Sequence, residues 1–355
     1  MTMVRLLLIT VRSDYGGGPR HIDQLVNRLP ESVELYLAFP ENGVPYSNLW
    51  IHNPRIKGQM FIPYRKFSLK TLSQLKQFVH DNEIEIVHSH GQGAGLYSRL
   101  LRIVGCKAKV VHTFHGISDE YRSKLKYLMS LAVGRLLEPY ADRYIAVSNG
   151  EKTLGMKRGF CTKKNCVVVY NGIFDDRLWS VGYSSKTIVT ISRYDYQKNM
   201  RLCLEIVRLM KNDGVIFLWV GDGEDFALMK NAIVKEHLPV EMVGFQKKPM
   251  TFLAKSAIYL STSRFEGLPY ALIEASSIGL PIVATDVKGN NEVAINGENG
   301  LTFKTAEDGA CALRRILNDK EEYERMSINS RKIFEERFTI DVMIGDLMKI
   351  YNSLA

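Results

Sequence analysis

The stretch Arg264-Phe265-Glu266-Gly267-Leu268-Pro269-Tyr270-Ala271-Leu272-Ile273-Glu274 decides how the rest of this chain is read. The apolar run Ala257 to Leu260 before it predicts a strand. Pro269 suits the first turn of a helix, and Gly279 can close that helix before the apolar Leu280-Pro281-Ile282-Val283-Ala284. The predicted unit is strand, loop, helix, strand. Glu266 falls in the loop and Glu274 in the helix, among small or apolar residues. A helix N-terminus behind a glycine presents unpaired N–H groups and the positive end of the helix dipole, which suit a phosphate and leave the carboxylates for hydroxyls.

Outward from this stretch, 355 residues exceed one typical core and fit two domains of about 150 to 180 residues. No apolar run approaches the ~18 residues of a membrane span. At the N-terminus, Arg5 interrupts a short apolar run, and Arg12-Ser13-Asp14 stands where a signal peptide needs small residues, so a cytoplasmic protein is expected. Five cysteines without a C-x-x-C point to reduced thiols rather than disulfides or a zinc knuckle. The net charge is +9 and uneven: residues 1–180 hold 25 Lys and Arg against 15 Asp and Glu, residues 181–355 hold 22 against 23. Nucleic acid, an anionic membrane face or an anionic acceptor would each account for a basic first half.

In chain order, Val4–Thr10 reads as a central strand running into the turn Ser13–Gly18 and the helical pattern Ile22, Leu25, Val26, Leu29. A dehydrogenase would require G-x-G-x-x-G there; the chain carries Gly16, Gly17 and Gly18 instead. Strands near Val33–Phe39, Gly58–Ile62, Ile84–His88 and Ala108–Thr113 alternate with helices Leu69–His80 and Ala94–Val104. That order implies crossover connections, a mostly parallel sheet, and ligands at the carboxyl ends of the strands. Two such ends carry His88 with His90 and His112 with His115. Imidazoles in this number could ligate a metal, but strand alternation is taken to keep each pair from converging, and no metal is expected. Tyr121–Pro139 reads as a basic amphipathic helix whose apolar stripe either packs on its own domain or meets a membrane. Strands ending at Ser148-Asn149 and Asn171-Gly172 follow, then Thr187–Ile191 and Phe217–Val220, with helical patterns from Ala306, Glu321 and Ile340.

Glu266 to Ala275, Gly279 to Thr285 and Asn291 to Leu301, with Arg193 and Lys198 five residues apart, resemble the retaining GT-B glycosyltransferases of family 4 (glycosyl transferases group 1), of the bacterial surface-polysaccharide type. The resemblance covers almost the whole chain, strongest over 187–304 and weakest over 1–80. It implies an α/β GT-B fold of two facing Rossmann-like domains: 1–173 for the acceptor, 174–186 as linker, 187–339 for the nucleotide-sugar, and a helix over 340–355 crossing back to the first. Carried over residue by residue, Glu274 binds the ribose, while Glu266, Gly267 and Leu268 hold the donor sugar. Because Pro269 has no N–H, Tyr270 and Ala271 supply amides to the diphosphate. Arg193 and Lys198 neutralise that diphosphate, although Ser192 and Asn199 stand where the family has glycines. Gly17, Asn171, Gly221 and Phe245 are further donor-binding positions, His115 lies near the donor sugar, and His90 is an acceptor-side candidate. The implied reaction is retaining, metal-independent transfer with no cofactor, from a UDP-sugar to a lipid-linked saccharide acceptor at the inner membrane face, in O-antigen, capsule or exopolysaccharide synthesis. No D-x-D motif is present. A nucleotide-sugar 2-epimerase, a phosphorylase and a basic nucleic-acid-binding module are the alternatives; the last lacks an interleaved basic and aromatic platform.

Overall fold

The computed structural model describes residues 3–117 and 124–354. The chain divides into two compact units, Met1–Asn171 with Ile340–Ala355, and Gly172–Thr339.

The first unit runs β1 (Val4–Thr10), α1 (Gly17–Arg28), β2 (Val33–Phe39), α2 (Tyr46–Ile51), β3 (Ile56–Phe61), α3 (Leu69–Asp81), β4 (Ile86–His90), α4 (Gln92–Ile103), β5 (Lys109–Thr113), α5 (Lys124–Leu136), β6 (Arg143–Ala146), α6 (Asn149–Arg158) and β7 (Cys166–Val168). Its seven strands are parallel and ordered β3-β2-β1-β4-β5-β6-β7. A parallel sheet covered on both faces needs strands apolar on both sides. In β1, Leu6 and Leu8 pack with Ile22, Leu25 and Val26, while Leu7 and Ile9 pack with Leu75, Tyr97 and Leu101.

The second unit runs β8 (Thr187–Ile191), α7 (Met200–Leu209), β9 (Ile216–Val220), α8 (Phe226–Glu236), β10 (Val240–Gly244), α9 (Met250–Ala254), β11 (Ile258–Ser261), α10 (Tyr270–Ser277), β12 (Ile282–Thr285), α11 (Asn290–Val293), β13 (Gly300–Phe303), α12 (Ala306–Asn318) and α13 (Lys320–Arg337). Its six strands are parallel in the order β10-β9-β8-β11-β12-β13, around a core containing Phe217, Trp219, Leu260 and Leu313. The segment 174–186 belongs to this unit: Ser180 N donates to Ile278 O at 3.1 Å and Val181 N to Ala254 O at 2.9 Å.

The last helix, α14 (Ile340–Asn352), returns to the first unit. Met343, Leu347, Ile350 and Tyr351 enter its core beside Val4, Leu6 and Leu25, and Arg28 Nε donates to Asp341 Oδ1 at 2.8 Å. Both sheets carry the GT-B strand order, reversing between β1 and β4 in one and between β8 and β11 in the other. In open parallel sheets the crevice beyond the carboxyl ends at such a reversal is where ligands bind.

Candidate functional site

In the second unit the reversal brings the loops after β8 and β11 together. Lys198 Nζ donates to Glu266 Oε1 at 2.6 Å, and Gln197 Nε2 donates to Glu266 Oε2 at 3.3 Å and to Phe265 O at 3.0 Å. Arg264 N donates to Gln197 O at 2.8 Å, Arg264 Nη2 to Asn199 Oδ1 at 2.8 Å, and the guanidinium lies over the Tyr196 ring. The two loops are thus laced by main-chain and side-chain bonds, which fixes Glu266 although it sits outside regular structure. Glu266 and Glu274 are both buried. The Tyr259 hydroxyl, which donates to Ile191 O at 2.9 Å, has its pKa raised by burial, with the Glu274 and Glu266 carboxylates adding to the effect.

Pro269 is the N-cap of α10 rather than part of its first turn; Tyr270 and Ala271 are the first two helical residues, so both precede the first i→i−4 bond of the helix. A small recess at this point is lined by Ser192, Lys198, Thr262, Ser263 and Ala271, among others. Arg193 is more exposed and sits 3.1 Å from Asp195 Oδ2.

Asn199 holds a left-handed conformation, φ 53° and ψ 51°, as the N-cap of α7. Asn tolerates that region, so it serves where the family has glycine. Gly221, after β9, is dictated by close approach: a Cβ there would lie 1.8 Å from Ser192 O. Gly289 presses likewise on the Glu266 loop, where a Cβ would sit 2.5 Å from Gly267 O. Phe245 follows the end of β10 and is half-exposed.

The first unit holds the other named residues. Gly17 opens α1, and Gly18 beside it lies 3.8 Å, at its Cβ position, from the His115 ring. His90 Nδ1 and His115 Nε2 are 3.1 Å apart, and His21 Nδ1 is 3.2 Å from Asn171 Oδ1. The expectation that each histidine pair stays apart fails for His88 and His90. Residues i and i+2 of a strand share a face, so the His88 and His90 rings lie tilted with centroids 4.2 Å apart, His115 stacks on His90, and His21 joins them. Ligand-capable nitrogens of His21, His90 and His115 lie within 4.8 Å of one another, the geometry of a possible metal centre. Burial holds all three rings well below the usual imidazole pKa, His21 down to about 4, so they are neutral near pH 7. His112 points to the opposite face, against Ser89 Oγ at 3.0 Å.

Three participants went unread in the sequence. His21 follows Gly17 by four residues, one helical turn, and that spacing could have placed it at the glycine loop. Gln197 and Arg264 carry no such signal, because their roles depend on which loops the sheet order brings together. The expected helix over 121–139 is described from Lys124; Tyr121 and Arg122 lie outside the described residues. Only part of its stripe packs inward: Leu131 lies against the cluster of Phe114, Tyr144 and Phe160 and Leu137 is buried, while Leu125, Leu128, Met129 and Leu136 are 58–72% exposed.

Two parallel α/β units, each with its loops gathered at a strand-order reversal and one with a Lys–Glu pair at a helix N-terminus, define the GT-B class of transferase. The chain belongs to the group 1 glycosyltransferases: it matches the model described as "Glycosyl transferases group 1" over residues 181–333 and that described as "Glycosyltransferase Family 4" over 15–177. It is 39% identical over 302 residues to the amylovoran biosynthesis glycosyltransferase AmsD of Erwinia amylovora, covering 80% of this chain and 81% of that one. It is 24% identical over 311 residues to the UDP-Gal:alpha-D-GlcNAc-diphosphoundecaprenol alpha-1,3-galactosyltransferase of Escherichia coli, covering 80% and 79%. In fold it is similar to Anabaena Alr3699/HepE, crystallised with UDP and glucose, at a TM-score of 0.84 and 18% identity, covering 99% and 100%.

Proposed function

We propose that this glycosyltransferase moves a sugar, with retention, from a UDP-sugar to a saccharide carried on a lipid diphosphate, during assembly of a surface polysaccharide. The observation that carries the reading is the buried Lys198–Glu266 pair facing the N-terminus of α10, with Glu274 on that helix. A diphosphate placed there meets Lys198 and helix amides, and Glu274 accepts from the ribose hydroxyls. Similarity to the amylovoran enzyme supports the pathway class. Similarity to the E. coli galactosyltransferase supports the lipid diphosphate, and HepE supports UDP.

The proposed chemistry is front-face substitution. The bond from anomeric carbon to the donor phosphate breaks as the acceptor oxygen bonds the same face, and the acceptor proton passes to a leaving phosphate oxygen. Arg193, Lys198 and the α10 amides stabilise the charge that develops on the diphosphate. Peripheral membrane attachment completes the proposal, supported by the exposed apolar stripe of α5 and the basic first half. No helix among the described residues is long and apolar enough to cross a membrane.

Thermal shift against UDP-, GDP- and ADP-sugars tests the donor. UDP-sugars at a hundredfold excess over their dissociation constant should stabilise by about 2.7 kcal/mol, and a shift with GDP- or ADP-sugars alone would refute the UDP assignment. Consumption of the nucleotide-sugar without acceptor would redirect the reading to an epimerase.

A further inference from the structure

Residues 42–80 hold six Lys and Arg and no Asp or Glu. The middle of this stretch links the carboxyl end of β3 to α3, at the same sheet edge as the loop after β1. Arg65 N donates to Val11 O at 3.0 Å and ties the two loops together. There Arg12 grips Asp14 through Nε and Nη2, each at 2.8 Å, while Arg65 Nη2 stands 3.8 Å from the same carboxylate. One carboxylate therefore faces two guanidiniums, leaving a positive charge in excess. At 3.8 Å the second contact is an ion pair and not a hydrogen bond, so Asp14 orients Arg65 without consuming its donors. Arg65 lies over the Tyr64 ring at 5.2 Å and keeps a left-handed backbone, φ 50°, which a non-glycine residue holds only where its surroundings impose it. Tyr64, Arg65, Lys66 and Phe67 are all exposed.

We infer that this edge is the subsite for the anionic group of the acceptor. Arg65, with Lys66, takes a phosphate or diphosphate, and the Tyr64 and Phe67 rings offer apolar faces to what it carries. A guanidinium matches phosphate oxygens in a fork, and a lysine adds a mobile point charge. The inference deepens the proposed function and rests on its lipid-diphosphate acceptor.

Binding tests it without turnover. The probes are N-acetylglucosamine joined through a diphosphate to a short prenyl chain, and the same sugar as a prenyl glycoside lacking the diphosphate. Both are titrated by calorimetry in saturating UDP, so that the donor site is filled. The wild type should bind the diphosphate form roughly tenfold or more tightly, and Arg65→Gln should lose most of that preference. Lys66→Gln, at an exposed position, should lose part of it and guards against a folding defect in the first variant. Inorganic pyrophosphate should compete weakly; competition as strong as the conjugate's would make this a free-phosphate site and overturn the acceptor assignment. Equal affinity of the wild type for both probes, or an unchanged preference in both variants, also overturns it. A wild type that binds the diphosphate probe yet transfers no sugar to it sinks the proposed function and leaves the subsite standing.

Discussion

Lys198 Nζ lies 2.6 Å from Glu266 Oε1, with side chains 19% and 7% exposed, joining the loops at the strand-order reversal of the second unit. The pair is buried enough that breaking it strands a charge, whereas removing both charges does not. Lys198→Met should cost about 3 to 5 kcal/mol of stability, and Lys198→Met with Glu266→Gln clearly less than the sum of the single changes. Urea unfolding of the four-member cycle measures the coupling; additivity would mean that the contact is energetically idle.

Glu274→Gln should weaken the nucleotide-sugar and the free nucleotide alike by roughly 1.5 to 3 kcal/mol, the worth of a hydrogen bond to a charged group. Calorimetry with UDP checks it, and unchanged UDP affinity would remove Glu274 from the ribose.

In the proposed mechanism Arg193 and Lys198 supply positive charge where a bound cation otherwise would. Transfer activity should therefore persist after exhaustive chelation. The three-histidine cluster gives this experiment an edge: loss of activity restored by zinc, with loss also in His90→Ala, would assign a metal to that cluster.

Four buried imidazoles and a half-buried fifth, His115, should make the fold acid-sensitive. His21, His88, His90, His112 and His115 all have pKa values lowered, chiefly by burial. In the unfolded chain each titrates near 6.5, so below that pH the unfolded state binds the extra protons and stability falls. For His21, with a folded value of about 4, the loss on passing from above 6.5 to below 4 is on the order of 3 kcal/mol. Urea midpoints should drop steadily from pH 7 to 5; a flat profile would show the rings solvated or already charged.

Flotation with vesicles tests the membrane proposal. The protein should rise with anionic but not neutral liposomes at low salt, and less so at high salt, since exposed charges are screened within about 10 Å at 0.1 M. Leu128→Ser with Met129→Ser on α5 should reduce flotation even at low salt. Failure to float with anionic vesicles would remove the membrane and leave the transferase.

The sequence by itself determined the alternating elements and the position of the strand-loop-helix that carries Glu266 and Glu274. Short apolar runs such as Val4–Thr10 and Ile258–Ser261, closed by turn residues, read as buried strands, and a proline and a glycine bracket α10. Periodicity and turn chemistry are local, so they survive in a linear reading. Tertiary structure alone decided what meets what. Lys198 and Glu266 are 68 residues apart and touch only because β8 and β11 pair as neighbours. His21, His90 and His115 converge because a helix and two adjacent strand ends share one sheet edge. The stripe of α5 illustrates the limit most directly: its spacing announces an apolar face, but whether that face is covered depends on the surface it is laid against, and here Leu125, Leu128, Met129 and Leu136 remain exposed. Such contacts follow from strand order, which no run of neighbouring residues encodes.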